Sequence, residues 1–580
     1  MKKWGVKENS KTNPLTEGQK SRSSEEIIQI LLENRGLTEK DKIDTFFNPS
    51  LDKLLEDNFN LDKKEIKKAF IRLNQALKNK ESIIVYTDYD ADGICAGAIL
   101  WETLFSLGAK VMPYVPHRID EGYGLSIKGI NNCIKKFNPS LIITVDHGIS
   151  AVEASKYAKQ KNIDLIIIDH HAKGLVLPNV VAIIHTVSLV AGGLTFIFCK
   201  KFLDYLNIKK YNQKAGKIIL DDKLELAAIA TIADLIPLLG SNRILAALGI
   251  KELNKTKRLG LKALIADSGL KEGEIGSFEI SHVLSPRINA AGRMTHAITA
   301  LRLLCTTDAG RAMELSRQLN LTNKERQELT KYSTQHAMES VRIFQSQALI
   351  RNNRKDKIIV VAHDSYTQGI IGLIAGKLVE EYYRPAIAIA KEKELSKGSA
   401  RSIAGFDIVE NLRKLKHILK DIGGHPMAAG FTIMTCNIPL LVREINKLAE
   451  QYLSEDLLIR EIKIDVKLCL SEITPKLYKD IQKFAPFGKG NPEPVFSTEG
   501  VNVEGISKVG KEGQHLKLLV SQGKGNGKII YPCIGFSLGN LYTKIIDAKI
   551  VDIAYTINED SWNKTVNSLQ LKLKDVRLQD

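Results

Sequence analysis

The chain has 580 residues, enough for about three to five domains and too many for a single core. Hydrophobic residues make up 44% and charged residues 26%, which excludes a largely disordered chain and a collagen-like one. A formal net charge of +17 favours a polyanionic partner without identifying one.

The seven cysteines (Cys95, Cys133, Cys199, Cys305, Cys436, Cys469 and Cys533) are scattered and never spaced CxxC. This fits neither a disulfide framework nor a cysteine zinc site and points to a reducing compartment. The basic N-terminus lacks the apolar stretch of a secretory signal. The most apolar segment, Leu224 to Leu239, is broken by Glu225, Asp234 and Pro237, so no membrane span is expected. A soluble, cytoplasmic protein follows from these features.

In chain order, residues 1–25 are polar and Ser/Lys-rich and are expected to be a disordered tail. From Glu25 to Lys80 the spacing is helical: Ile27, Ile28, Leu31 and Leu32, then Ile66, Phe70, Leu73 and Leu77. From residue 83 short β-branched runs alternate with helical stretches, at 83–85, 141–145 and 165–168. Continuous apolar strands separated by helices predict a parallel sheet covered on both faces. Residues 26–310 are therefore taken as one α/β domain with N-terminal helices. The charged, glycine-poor stretch 311–350 predicts one or two long connecting helices. A second α/β region, 351–454, has strand candidates at 357–361 and 385–389. After it the alternation has period two, at 462–470, 515–520 and 568–578, with Gly-rich turns, which predicts a small sandwich or barrel over 455–580.

Each apolar run of the first region ends in acids or imidazoles: Asp88, Asp90 and Asp92; Asp146 and His147; Asp169, His170 and His171. A further stretch, Leu226 to Ile232, delivers Asp234. In a parallel sheet the strands' carboxyl ends share one edge, where ligands bind. Four acidic clusters on one edge need cations or protons to coexist. Carboxylates with one or two imidazoles suit Mn²⁺ or Mg²⁺. The glutamate that completes an EF-hand loop is missing after DxDxDG, which argues against calcium. Asp146 or Asp234 alone would read as a helix cap, but four clusters, each ending an apolar run, do not. Two divalent cations about 3.5–4 Å apart clamp a phosphoryl group and acidify water. The residues thus predict a metal-dependent phosphoester hydrolase on an α/β fold.

The ordered set DYDADG, VDHGIS, DHH and IADLIPL resembles the DHH phosphoesterase superfamily. SPRINAAGR (285–293), QGIIG (368–372), GSARS (398–402), GGHPMAAG (423–430) and APFGKGNPEP (485–494) narrow the resemblance to RecJ-type single-strand-specific 5′→3′ DNA exonucleases, from about residue 26 to the end. The resemblance implies a DHH domain, a DHHA1-like substrate-binding domain and a C-terminal oligonucleotide-binding (OB) barrel. It implies two cations, Mn²⁺ or Mg²⁺, held by Asp90, Asp92, Asp146, His170 and Asp234, with Asp146 bridging. Asp88 would support that loop. His171 would contact the phosphate or assist the leaving group. Ser399, Arg401 and His425 would face the substrate, joined by Arg287 or Arg293 near the 5′ end; the other reading for these two arginines is an ion pair locking the lobes.

In the barrel, Lys508, Lys511, His515 and Lys517 are candidate backbone contacts, and Phe487, Tyr531, Phe536 and Tyr555 candidate stacking platforms or core residues. The implied partners are single-stranded DNA, a RecQ-type helicase and a single-strand-binding protein, with the chain itself a monomer. The sequence departs from the family in three places. Tyr86 stands where some members carry a metal-ligating histidine. His147 replaces the usual Asn or Cys and is a candidate supplementary ligand. The segment after DHH is short and lacks the expected Asn-Pro, which leaves the local cleft wall open. The alternatives are a DHH phosphodiesterase for short oligonucleotides or cyclic dinucleotides, disfavoured by the barrel, and a non-catalytic nucleic-acid-binding scaffold, disfavoured by the intact acids.

Overall fold

The computed structural model describes residues 2–7, 21–57, 59–118, 120–207, 222–350, 356–560 and 568–579. They form two compact units: Met1–Asn60 with Asp234–Glu252 and Glu461–Asp580, and Leu61–Ala233 with Leu253–Arg460.

The first unit opens with a strand, β1 (Lys3–Val6), where a disordered tail was expected. The tail reading fails here because Trp4 and Lys7 have buried partners: Trp4 Nε1 donates to Asp575 at 2.9 Å, and Lys7 Nζ meets buried Asp465 at 2.6 Å. Residues 8–20 lie outside the described set. Helices α1 (Ser24–Glu33), α2 (Lys40–Phe47) and α3 (Leu51–Glu56) follow. Ser23 caps α1 through a capping box with Glu26. The apolar stripe Ile27, Ile30 and Leu31 packs with Phe46, Leu477 and Phe484 into the C-terminal core. These helices therefore belong with the barrel rather than with the first α/β domain. The sequence pattern showed the stripe but not the surface that covers it.

The second unit starts at α4 (Lys63–Lys78) and carries a five-stranded sheet. Its strands are β2 (Ile83–Thr87), β3 (Val111–Tyr114), β4 (Leu141–Val145), β5 (Asp164–Asp169) and β6 (Ala182–His185), all parallel, in the order β3-β2-β4-β5-β6. Helices α5 (Ala91–Ser106), α6 (Ile127–Phe137), α7 (Val152–Gln160) and α8 (Ala191–Tyr205) cover it, and α9 (Leu224–Ala233) packs on α5 and α8. Every residue of β2 and β4 is buried, as continuous apolar runs require in a sheet covered on both faces. The strand order reverses at β2, so the crevice of this doubly wound sheet opens at the carboxyl ends of β2 and β4. Asp88 and Asp146 follow those two strands directly.

After α10 (Gly240–Leu253, all but its last residue in the first unit) and α11 (Leu259–Asp267), the chain forms α12 (Ser285–Met294) and α13 (Ile298–Cys305). One continuous helix, α14 (Ala309–Ile350), spans the predicted connector. At 42 residues it is about 63 Å long. Its Ala337 and Val341 pack on the second sheet, among Ile359, Ile374 and Ala386. That sheet contains β7 (Ile359–His363), β8 (Ala386–Ala390), β9 (Leu395–Arg401), β10 (Leu419–His425) and β11 (Ala428–Met434), in the order β10-β11-β9-β8-β7. Helices α15 (Ile371–Tyr382), α16 (Ile408–Arg413) and α17 (Ile438–Tyr452) complete the lobe.

The first unit resumes with β12 (Glu461–Ile464), which pairs with β1, then β13 (Val466–Lys467) and α18 (Pro475–Gln482). Strands β14 (Phe496–Val509), β15 (His515–Gln522), β16 (Ile529–Gly535), β17 (Ile550–Glu559) and β18 (Leu569–Leu578) form a sheet that closes where β17 pairs back onto β14. Closure removes the open edges and seals a core containing Phe496, Leu518, Cys533, Ile553 and Leu571.

Candidate metal centre

The first acidic loop is shaped by helix capping. Asp90 is the N-cap of α5, and its Oδ1 accepts from the amides of Asp92 at 3.0 Å and Gly93 at 3.1 Å. Asn289 of α12 accepts from the Ala91 amide at 2.7 Å and ties the loop down. Asp92 is buried at the start of α5. Its two oxygens accept from Ala191 at 2.9 Å and Gly192 at 2.7 Å, the first amides of α8. Two helix N-termini thus face this loop and offset part of its charge. Gly192 is required here: a Cβ would sit 2.4 Å from Ala230 Cβ and 3.2 Å from Asp92 Oδ1.

Asp146 leaves β4 with φ +69°, a backbone conformation uncommon for a side-chain-bearing residue. That turn brings its carboxylate to Asp88 and Asp90; oxygens of all three lie within 4.8 Å of one another. Asp146 Oδ1 is also 3.1 Å from His170 Nε2 and 4.0 Å from His171 Nδ1. Asp92 Oδ2 lies 3.6 Å from His170 Nε2. Asp234 follows directly on Ala233, the last residue of α9, and opens the stretch assigned to the first unit.

The electrostatics call for a counter-ion. Burial, and then the charges of neighbouring aspartates, raise the Asp88 and Asp146 carboxyls well above the ordinary carboxylate range. One oxygen of each, Asp88 Oδ1 and Asp146 Oδ1, is buried without a hydrogen-bond partner. Burial and the charge of His171 push His170 down to about 4, leaving a neutral imidazole. Unsatisfied carboxylate oxygens beside a neutral imidazole fit a hard divalent cation.

Asp169 has a part that its place in the sequence did not reveal. Its Oδ1 accepts from His171 Nδ1 at 2.8 Å and from the His170 and His171 amides, and its Oδ2 from the Ile149 amide at 2.9 Å. Burial alone would raise this carboxyl, but the His171 hydrogen bond and charge hold it well below the usual range. The bond sets the His171 tautomer and leaves Nε2 facing the Tyr123 hydroxyl at 3.3 Å. Asp169→Asn presents an amide that can donate to Nδ1 and unsettle that tautomer; turnover should fall about 10–100-fold with KM little changed. Steady-state kinetics check this, and unchanged turnover would remove the orienting role.

Asp88, Asp90, Asn289 and Arg293 line a cleft of about 200 Å³, together with Arg118 and Tyr123, which the sequence reading missed because they lie on an aperiodic loop. Arg293 Nη1 donates to Gly369 O at 3.2 Å, so it links the two lobes by a hydrogen bond, and no ion pair of Arg293 is found among the described residues. Burial, then the charges of Arg118, Arg326 and Arg401, push Arg293 down to about 10. Arg287 instead donates to Val283 O at 2.8 Å and Asn320 Oδ1 at 3.2 Å, tying α12 to α14. In the second lobe, Ala428 pairs with both Arg401 and His425, and Gly430 with Ser399, which sets all three at one end of the sheet. Arg401 Nη1 donates to Ser399 Oγ at 3.1 Å. The His425 and His171 rings lie 6.2 Å apart and nearly parallel, so this end of the second lobe meets the acidic edge of the first.

Tyr86 is buried between Tyr114 and His147, in the core beneath α6. His147 packs edge-on against Tyr86 and belongs to none of the candidate metal-ligand clusters. It is therefore not placed as a supplementary ligand. Burial pushes it down to about 4, which fits a neutral core imidazole. The short segment after DHH forms β6, and His185 Nε2 meets His171 O at 2.7 Å, which supplies the local wall.

On the barrel, Lys508, His515 and Lys517 lie on paired strands β14 and β15, with Lys511 in the turn between them. Of the aromatic candidates, Tyr555 is core and shares a hydrogen bond with Thr498, Tyr531 donates to Ile473 O, and Phe487 packs on the core. Phe536 is exposed, beside the His515 ring at 5.1 Å and Lys572 Nζ at 5.4 Å.

A doubly wound sheet with carboxylates and imidazoles at its switch point, faced by a second α/β lobe, defines a DHH-type phosphoesterase. Family models agree: DHH family, N-terminal domain, over residues 82–231; DHHA1 domain over 355–455; RecJ OB domain over 464–575. The chain is 36% identical to the single-stranded-DNA-specific exonuclease RecJ of Bacillus subtilis (strain 168), over 96% of its own length and 68% of that protein. It is 29% identical to the Haemophilus influenzae RecJ, over 87% of this chain and 89% of that one. The crystal structure of Thermus thermophilus RecJ in complex with Mn²⁺ superposes with a TM-score of 0.79 at 25% identity, covering 100% of this chain and 80% of that one. The chain belongs to the RecJ family of single-stranded-DNA-specific exonucleases.

Proposed function

We propose that the chain is a two-metal exonuclease that digests single-stranded DNA from the 5′ end and releases 5′-mononucleotides, in DNA repair and recombination. The observation that carries this is the buried carboxylate pair Asp88 and Asp146, one oxygen of each without a hydrogen bond, beside His170 and His171 at the sheet's switch point. The proposed ligands are Asp90, Asp92, Asp146, His170 and Asp234, with Asp88 supporting the loop. When bound, Mn²⁺ or Mg²⁺ supplies charge neutralisation at the scissile phosphate and acidifies a water. T. thermophilus RecJ has been crystallised with either ion.

The protein's own groups do the positioning. His171, oriented by Asp169, contacts the phosphate or assists the leaving 3′ oxygen. Arg293, Arg401, Ser399 and His425 hold phosphates near the 5′ end, Arg401 and Arg293 by the planar fork that suits them. We give Arg287 a positioning part, since its described bonds anchor α12. Lys508, Lys511, His515 and Lys517, with Phe536 as stacking platform, track the strand on the barrel. A RecQ-type helicase and a single-strand-binding protein are proposed partners of a monomer. Seven free cysteines and the absence, among the described residues, of a helix able to cross a membrane support a cytoplasmic setting.

Polarity is tested by digesting strands labelled at either end with Mn²⁺ present. Label should leave first from the 5′ end as mononucleotide; first release from the 3′ end would overturn the assignment.

A further inference from the structure

Between α14 and α15 lies a second cavity, about 860 Å³, within the range of small-molecule sites. It shares Arg401 with the proposed 5′-phosphate set but contains none of the metal-centre residues. Its charged lining is Arg326, Lys331, Lys377 and Arg401 against Glu380 alone. Arg326 Nε and Thr334 Oγ1 are buried without hydrogen-bond partners. Lys377 pairs with Glu380 at 2.7 Å, while Arg326, Lys331 and Arg401 have no ion-pair partner among the described residues. A guanidinium fork with a spare donor among such cations suits a phosphate. Met338 and Leu373 add apolar wall for a sugar or base.

Two glycines one helical turn apart, Gly372 and Gly376, keep the α15 wall thin, although glycine is a poor helix former. A Cβ at Gly372 would come 2.8 Å from Arg401 Nη2 and 3.2 Å from Ser399 Oγ. A Cβ at Gly376 would meet nothing within 4 Å.

We propose that this cavity binds a nucleoside polyphosphate, with phosphates running from Arg401 toward Arg326. The proposal rests on the reading of Arg401 as a 5′-phosphate contact. The same chemistry has two sources: a strand whose 5′ end carries a triphosphate, and a free nucleoside triphosphate.

The test compares wild type, Gly376→Leu and Gly376→Ala. Leucine fills the cavity from a position that touches neither the metal centre nor Arg401; alanine adds only a methyl in open space. Each is assayed with saturating Mn²⁺ on single strands of one sequence bearing a 5′-monophosphate or a 5′-triphosphate, and by equilibrium binding of ATP. All three should cut monophosphate ends equally. Gly376→Leu should lose at least tenfold in cutting triphosphate ends if the strand is the source, or at least tenfold in ATP affinity if the free nucleotide is, while Gly376→Ala follows wild type. Should Gly376→Leu melt early, Arg326→Gln repeats the comparison. Wild type that neither cuts triphosphate ends nor binds ATP, or cavity variants indistinguishable from it in both assays, would overturn the proposal. Wild type inactive on monophosphate ends would instead overturn the exonuclease reading.

Discussion

Replacing Asp146 by asparagine lowers turnover on single-stranded DNA by about three orders of magnitude while leaving the metal-free protein at least as heat-stable. Asp146 is the one residue common to the Asp88–Asp90 carboxylate group and the His170–His171 imidazole group. Loss of its charge forfeits several kcal/mol of transition-state stabilisation, and each 1.36 kcal/mol is tenfold in rate. Asparagine has nearly the same shape, so the positive-φ turn after β4 persists. The substitution also relieves burial of a carboxyl and its repulsion by Asp92, Asp90 and Asp88. A purely structural Asp146 predicts the reverse pattern, with a lower melting temperature and turnover near wild type on the folded fraction. Rates on 5′-labelled strands with saturating Mn²⁺, beside melting curves without metal, separate the two. Turnover within tenfold of wild type would remove Asp146 from the ligand set.

Affinity for Mn²⁺ rises steeply with pH. In the metal-free protein, burial and neighbouring aspartates raise the proposed ligand Asp146 and, beside it, the loop-supporting Asp88, so both carry protons that the cation's charge would displace. Each proton displaced contributes up to tenfold in affinity per pH unit, or about 100-fold for two. His170 adds nothing to this slope above about pH 5, because burial already pushes it down to about 4. For stability the sign is unusual for a carboxylate. Because the folded values are raised, the unfolded chain releases these protons first as pH climbs past about 4. Metal-free stability from these two groups is therefore complete below that point and declines as pH rises toward the folded values. Asp169 has the opposite sign, since its folded value is depressed and its contribution is lost only in acid. The thermal shift produced by Mn²⁺ should accordingly grow as pH rises above the ordinary carboxylate range. Calorimetry in buffers of different ionisation enthalpy reads the released protons directly. Binding without proton release would contradict the raised carboxyls.

Much of the centre was legible in the sequence because strand and motif coincide. The runs at 83–87, 141–145 and 164–169 end in acids, and a parallel sheet carries such ends to one edge. The loop at Arg118 and Tyr123 was not legible, because neither periodicity nor a motif marks an aperiodic segment whose value lies in what it faces. Asp169 was visible beside its histidines, but only the backbone turn shows that it holds His171 Nδ1 and the Ile149 amide. Tyr86 and His147 illustrate the converse: neighbours of motif residues in sequence, they pack against each other in the core, and only the packing shows it.

The amino-acid sequence alone determined the layered α/β character, the ordered acids and imidazoles, the alternating strands of the barrel and the apolar stripe of α1, since each depends on residue type at local spacing. Tertiary structure decided that the α1 stripe packs into the barrel's core, that Trp4 orders the first strand, that Arg287 is spent on anchoring α12, and that Arg401 and His425 share a row two strands apart. Those outcomes depend on which distant surfaces meet and which buried groups lose water together, and no local spacing encodes that.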